Sequence, residues 1–250
     1  MGTTILLLRH GETEANSKGV LQGQSESKLT ANGREQAMAL GAAIASHRVG
    51  KLRMPLCSTL YASDLSRASD TAQAVVDALG DTHHGLVLKR DVRLRERRLG
   101  PFQGLTVSQC ASNHRALWRA FNSGDDTMLR ACSGEPGAGE NGGVETHDEM
   151  FARTAAVMTD IAAAHPGETV LVVSHGGFVH TAVCALSDLP DGEIPHIGNC
   201  SVTTLIAPDT GSGSQAWRAT AVGESATGDA QHGLSQSHRM NVDMASRKVM

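Results

Sequence analysis

The stretch Ile5-Leu6-Leu7-Leu8-Arg9-His10-Gly11-Glu12 sets the reading of this chain. Its apolar run has the length and character of a buried strand. Gly11 allows the sharp backbone turn with which such a strand ends. Sheets of α/β proteins place their chemistry at strand ends. Arg9 and His10, one cationic and one potentially nucleophilic, are therefore expected on the floor of a site. A histidine taken alone is more often a satisfied structural residue, so the weight of His10 depends on what else converges on it.

Outward from this stretch, a polar loop runs from about residue 11 to 29. Thr30 then reads as the N-cap of an alanine-rich helix reaching about His47. A second strand is expected at about 56–62, followed by a helix capped by Ser63 or Asp64, with Ala68, Ala72, Val75, Val76 and Leu79 on one face. Leu86-Val87-Leu88 reads as a short third strand. Residues 99–105, with two glycines and a proline, read as a loop. Helices are expected at about 107–121 and 145–164, with a glycine-rich surface loop, 133–143, between them. The strongest strand, Thr169-Val170-Leu171-Val172-Val173, ends at Ser174-His175-Gly176-Gly177 and leads into a helix over about 178–186. Two last strands are expected near 201–206 and 216–222, separated by a Gly/Ser turn. From Gly223 the chain is rich in Ser, Gly, Gln and His without periodicity, which predicts a domain over 1–222 and a polar, disordered tail over 223–250. Alternating strands and helices imply a three-layer α/β/α sandwich with a mostly parallel central sheet.

Composition bounds the function classes. At 40% hydrophobic and 19% charged residues, a sizeable core is available and global disorder is excluded. With aromatics at 3%, that core must rest on Ala, Leu and Val, which suits helices packed on a sheet. The net charge of −4 gives no reason to expect nucleic acid or an anionic membrane as partner. Five cysteines, odd in number and without a CxxC pair, indicate neither a disulfide framework nor a zinc site. There is no basic leader before a long apolar stretch and no run of membrane-spanning length, so a reduced, cytoplasmic protein is expected. Oligomeric state is not legible. Local charge is uneven: Lys89, Arg90, Arg93, Arg95, Arg97 and Arg98 stand against only Asp91 and Glu96.

Four polar groups follow strands in the same way: Arg9-His10 after the first, Arg67 after the second, Glu96 after the third and His175 after the strongest. If those strands are neighbours, two arginines, two histidines and one carboxylate meet at one point. Such a cationic cluster suits a phosphoryl group, whose oxygens accept bidentate arginine hydrogen bonds. Arg67 and Gly176 also fall near helix N-termini, where exposed amides favour an anion.

The motifs carrying these residues resemble those of the histidine phosphatase superfamily, phosphoglycerate-mutase-like branch. They are LLLRHGETEAN (6–16), LQGQ (21–24), LTANGREQA (29–37), SDLSRASDTA (63–72), LRERRLGPFQGL (94–105) and VVSHGG (172–177), in the family's order. The resemblance implies that His10 attacks phosphorus and becomes a phosphohistidine. It implies that Arg9, Arg67 and His175 hold the phosphoryl oxygens. Glu96 would protonate the leaving oxygen and then activate water. Asn16, Gln22 and Gly23 match positions that contact phosphate or substrate, as does Gly176. No metal or other cofactor is implied, and the partner is a small phosphorylated molecule.

The same chemistry serves phosphatases and cofactor-dependent phosphoglycerate mutases. Mutases of this family resemble one another in a Glu-Arg-His-Tyr-Gly stretch at the acid, a later Arg-Arg-Ser-Tyr stretch and a proline run. Here the acid is followed by Arg97-Arg98-Leu99-Gly100-Pro101-Phe102 and no proline run appears, which resembles the fructose-2,6-bisphosphatase-like and broad-specificity phosphatases. Arg93, Arg95, Arg97 and Arg98 are expected to favour a substrate with a second anionic group. One stretch departs from the group's pattern: Gly143-Val144-Glu145-Thr146 has valine where many members have a second glycine. A non-catalytic module of the same fold would lack the nucleophile or the acid, and both are present. His83, His84, His180, His232 and His238 are read as non-catalytic.

Overall fold

The first strand, β1 (Thr4–Arg9), is buried along its whole length, because apolar residues point from it to both faces of a sheet that is itself covered on both sides. Ile5 and Leu7 join one core cluster, and Leu6 and Leu8 join the other. In the computed structural model, which describes residues 2–46, 56–80, 86–133, 143–209 and 216–225, β1 lies between β4 (Thr169–Ser174), parallel to it, and β5 (Ser201–Ile206), antiparallel to it. The sheet is completed by β2 (Leu56–Ala62), β3 (Val87–Arg90) and β6 (Arg218–Ser225), in the order β3-β2-β4-β1-β5-β6. The four strands from β3 to β1 are parallel, β5 runs antiparallel to β1, and β6 runs antiparallel to β5. The sheet is thus mixed, parallel where the expected chemistry lies.

Helices α2 (Ala31–Ala45) and α3 (Ser66–Leu79) cover one face through Ala37, Leu40, Ala68, Ala72 and Val75. Helices α7 (His147–Ala164) and α8 (Gly176–Leu186) cover the other through Val157, Met158, Phe178 and Val179. This is the three-layer sandwich expected. A one-turn helix, α1 (Glu14–Ser17), sits in the loop after β1.

Several local expectations change. Thr30 caps α2 as expected, accepting the Gly33 N–H. Leu65 is the N-cap of α3 without a side-chain bond. Ser63 accepts the Leu65 N–H instead, and Asp64 is drawn away to Arg95. The helix expected over 107–121 is two, α4 (Val107–Asn113) and α5 (Arg115–Ser123), broken at His114, whose φ of −131° is not helical. Ser112 bonds both the Gln109 carbonyl and Asn113 at that break, the local competition by which such residues end helices. A further helix, α6 (Asp126–Ser133), was not expected. Gly124 in the left-handed region ends α5, and Asp125 accepts the Met128 N–H at the start of α6. Helix α7 begins two residues later than expected because Thr146 and Glu149 form a capping box.

Helices α4–α6 enclose a third apolar cluster built on Phe102, Phe121 and Leu129. Val144 packs into that cluster at 4% exposure, so valine at the departing position fills a core. Strand β6 extends to Ser225, past the expected boundary at 222. His47, His83, His84, most of the glycine-rich loop, the last turn and the tail from 226, with His232 and His238, lie outside the described residues. Among the described residues no helix is long and apolar enough to cross a membrane.

Candidate active site

The register of β1 on β4 pairs Arg9 with Ser174, and the His10 N–H donates to the Ser174 carbonyl at 3.0 Å. The residues that follow, His10 and His175, are thereby held side by side, their ring centroids 5.2 Å apart. Both are buried. Burial and the nearby Arg67 and Arg9 charges hold His10 well below the ordinary histidine range; burial, Arg67 and His10 do the same for His175. Both are therefore neutral at physiological pH.

Hydrogen bonding assigns their tautomers. His10 Nδ1 lies 2.7 Å from the Gly11 carbonyl, which can only accept, so Nδ1 carries the proton and Nε2 the free lone pair. Arg67 Nε donates to His175 Nδ1 at 3.2 Å. Arginine cannot accept, so His175 must carry its proton on Nε2. That atom is buried without a hydrogen-bond partner, as is Arg9 Nε. A buried unsatisfied donor costs about 1–3 kcal/mol, and two of them here are ready for an acceptor beside the His10 lone pair.

The guanidinium groups are anchored by neutral acceptors. Arg9 Nη1 donates to the Ile197 carbonyl at 2.5 Å. Arg67, the second residue of α3, donates to the Gly23 and Ser25 carbonyls at 2.7 and 2.8 Å. Burial pushes Arg67 down to about 10, opposed by the charges of Glu96 and Glu26. Gly23 is at φ +52°, and a Cβ there would lie 2.5 Å from Gln103 Oε1. The loop can reach Arg67 in this way only with glycine.

Glu96 follows the 3-10 turn Val92–Leu94 after β3. Its Oε2 accepts the Gly177 N–H at 2.9 Å and its Oε1 the Arg97 N–H at 2.8 Å. A Cβ at residue 177 would come within 2.4 Å of Oε1, so glycine there is a condition of the Glu96 carboxylate's seat. Gly176, the neighbour predicted to contact substrate, lies against the Arg9 guanidinium. Gln22 offers a buried, unpartnered Oε1. The Asn16 Oδ1 is spent on Thr13 and on Asn199 Nδ2, so it serves the loop's shape.

The structure thus brings His10, His175, Arg9, Arg67, Glu96, Gly176 and Gly23 to one place, with Gln22 and Asn16 on adjoining loops. It does not bring the basic stretch. Arg93 pairs with Asp91 and Asp160, and Arg95 with Asp64. Arg97 is buried over the Phe121 ring and donates to the Glu145 carbonyl. Arg98 donates to the Gly143 carbonyl. Of the four arginines expected to favour a second anionic group, Arg93 and Arg95 are paired with carboxylates and Arg97 is bonded within the fold, while the Arg98 side chain, among the described residues, has only its Nε bonded, to the Gly143 carbonyl. The sequence reading missed Asn199, whose Nδ2 donates to the His10 carbonyl, and Gln24, whose Nε2 donates to the Glu96 carbonyl. The Gly198-Asn199 pair before β5 is a turn signal, and Cys200 after it takes φ +53°.

This chain is similar over most of its length to known proteins. The model of the histidine phosphatase superfamily, branch 1, matches residues 5–220. A metal-independent phosphoserine phosphatase of Arabidopsis thaliana is 35% identical over 70% of this chain, and the match spans 65% of the plant protein's length. A glucosyl-3-phosphoglycerate phosphatase of Mycobacterium tuberculosis is 33% identical over 86% of this chain and 91% of that protein. The solved structure of a mycobacterial glucosyl-3-phosphoglycerate phosphatase in complex with VO3 superposes with a TM-score of 0.67 at 27% identity, covering 89% of this chain and 99% of that one.

Proposed function

This chain belongs to the histidine phosphatase superfamily and is a phosphatase of small phosphorylated metabolites; we propose that it works by covalent transfer through His10. The observation that carries this mechanism is the pairing of tautomers. A free lone pair on His10 Nε2 stands beside two buried, unpartnered donors, on His175 Nε2 and Arg9 Nε.

In the first half-reaction, His10 Nε2 forms a bond to phosphorus while the bond to the leaving oxygen breaks. Glu96 passes its proton to that oxygen, releasing an alcohol. Arg9, Arg67 and the His175 Nε2–H bond the phosphoryl oxygens and offset the charge that develops on them. In the second, Glu96 takes a proton from water, whose oxygen attacks the phosphohistidine. Phosphate leaves and His10 Nε2 recovers its lone pair. Gln22 and Gly23, with Gly176, border the phosphoryl position, and Asn16 supports the loop. The residues at this centre supply the positive charge themselves, so we propose that turnover needs no metal.

For the substrate we propose phospho-acids. Phosphoserine and glucosyl-3-phosphoglycerate, named for two relatives, are both phosphate esters carrying a carboxylate. We place the reaction in the cytoplasm, a reading supported by the free thiols of Cys110, Cys132, Cys184 and Cys200. The test is a phosphate-release screen in EDTA with phosphoserine, 3-phosphoglycerate, 2,3-bisphosphoglycerate and fructose-2,6-bisphosphate, coupled to acid-labile labelling of the enzyme. Release from a phospho-acid is expected, with label on the wild type and none on His10→Ala. Undiminished turnover in His10→Ala would sink the mechanism. Rapid isomerisation of 3-phosphoglycerate, primed by 2,3-bisphosphoglycerate and without phosphate release, would instead make the chain a mutase.

A further inference from the structure

Beyond the glycine that seats Glu96, α8 carries side chains that phosphoryl transfer does not use. His180 and Cys184 stand four residues apart on this helix and so share a face. Asp191 opens the 3-10 turn Asp191–Glu193 just after the helix and returns to that face. His180 Nε2 lies 3.1 Å from Asp191 Oδ1. Cys184 Sγ lies 3.4 Å from the same oxygen and 3.8 Å from His180 Nδ1. Among the described residues these three bring one ligand atom each within 4.8 Å of one another.

Those separations have a chemical meaning. Around a tetrahedral zinc ion, bonds of about 2.0 Å to nitrogen and oxygen and 2.3 Å to sulfur set neighbouring ligand atoms roughly 3.3–3.5 Å apart. The Cys184 Sγ–Asp191 Oδ1 pair already stands at this spacing, and one His180 nitrogen lies within 4.8 Å of both. We propose that His180, Cys184 and Asp191 form a zinc-binding site, with the fourth position taken by water.

The donor set selects the ion. Imidazole, thiolate and carboxylate are zinc's own protein ligands, whereas calcium and magnesium require oxygens throughout. The side chains of His180 and Asp191 are 29% and 16% exposed, so the ion can enter from solvent and keep its water. Burial holds His180 below the ordinary histidine value, which leaves a lone pair to give. Burial and the Asp191 charge push the Cys184 thiol up. It therefore carries its proton until the metal–sulfur bond forms, and that proton then leaves to solvent. Occupancy would pin the end of α8 to the turn that follows it. His180 stands one turn beyond the Gly177 amide that seats Glu96 and feels that carboxylate's charge, but the test reads metal binding directly and does not depend on the proposed reaction.

The experiment is a cobalt(II) titration of the full chain, cleared of metal with EDTA, followed by displacement with zinc. One equivalent of cobalt is expected to give a sulfur-to-cobalt charge-transfer band that zinc abolishes. Cys184→Ser should remove the band and Cys132→Ser should keep it. Even partners that only support a ligand are worth 10–100-fold in affinity, so His180→Ala and Asp191→Asn should each weaken zinc binding by about 100-fold. Zinc should also raise the melting temperature of the wild type and leave that of His180→Ala unchanged. No band in the wild type, a band that survives Cys184→Ser, or equal zinc affinity in wild type and His180→Ala would overturn the site.

Discussion

Two sets of arginines in this molecule look alike in sequence and differ in what they bond. Arg93 and Arg95 pair with carboxylates, and Arg97 is enclosed beside the His147–Asp126 pair and the Glu145 carbonyl. Arg9 and Arg67 hydrogen-bond carbonyls and an imidazole, all neutral. Both sets are anchored. Arg93 and Arg95 spend their charge on carboxylates, whereas Arg9 and Arg67 hydrogen-bond neutral acceptors and keep theirs for an incoming anion, which is what a phosphoryl dianion needs. Density of positive charge along the chain therefore says little about binding; the chemistry of the internal acceptors says much.

The sharpest way to break this contrast is to delete one member of the second set. Arg67→Ala should lower kcat/KM by about 10²–10³-fold, the range for removing a preorganised donor to a developing oxyanion. Arg97→Met should act on the fold instead. Truncating a partner in a buried charged network costs about 3–5 kcal/mol, which urea unfolding would read, while kcat/KM falls less than tenfold because the backbone N–H to Glu96 is retained.

Acid pH is a third probe, because it charges the histidines that the arginines keep neutral. His10 and His175 titrate well below 6.5 in the folded chain. Above pH 6.5 both states hold neutral rings. Below it the unfolded chain binds protons that the folded chain refuses, so stability falls as pH falls. Between pH 6.5 and 5.5 each histidine costs about 1 kcal/mol by linkage, and His175→Asn should make the decline shallower. The smallest effect is expected from Arg95→Gln. Its half-exposed pair with Asp64 is worth less than about 1 kcal/mol, and kcat/KM should stay within about twofold. A loss there to match Arg67→Ala would erase the distinction between the two sets.

What could be read in the sequence follows the same division. His10, His175, Arg67 and Glu96 each sit where a strand hands over to a turn, and strand identity is a local property of apolar runs. Their convergence needed only that β3, β2, β4 and β1 be neighbours. The partners of Arg93, Arg95 and Arg97 are contacts between elements remote in the chain, and no local pattern announces them. Asn199 was hidden for the same reason: its work on the His10 carbonyl appears only when the turn before β5 folds across the end of β1. Helix α6 was legible in principle from Gly124-Asp125-Asp126 but was masked by the polar, glycine-rich sequence after it. The cap of α3 was misread because Asp64 had a better partner in Arg95.

The place of β1 between β4 and β5 has a consequence for synthesis. His10 is synthesised well before its neighbouring strand and His175, which lie in the last third of this sequence. Until that segment emerges, β1 has neither of its sheet neighbours, and His10 lacks the donor on His175. On the mechanism proposed above, a chain truncated before β4 is catalytically silent, and it exposes an apolar strand with two open edges. Activity and protection from aggregation arrive together, with the closing of one long loop.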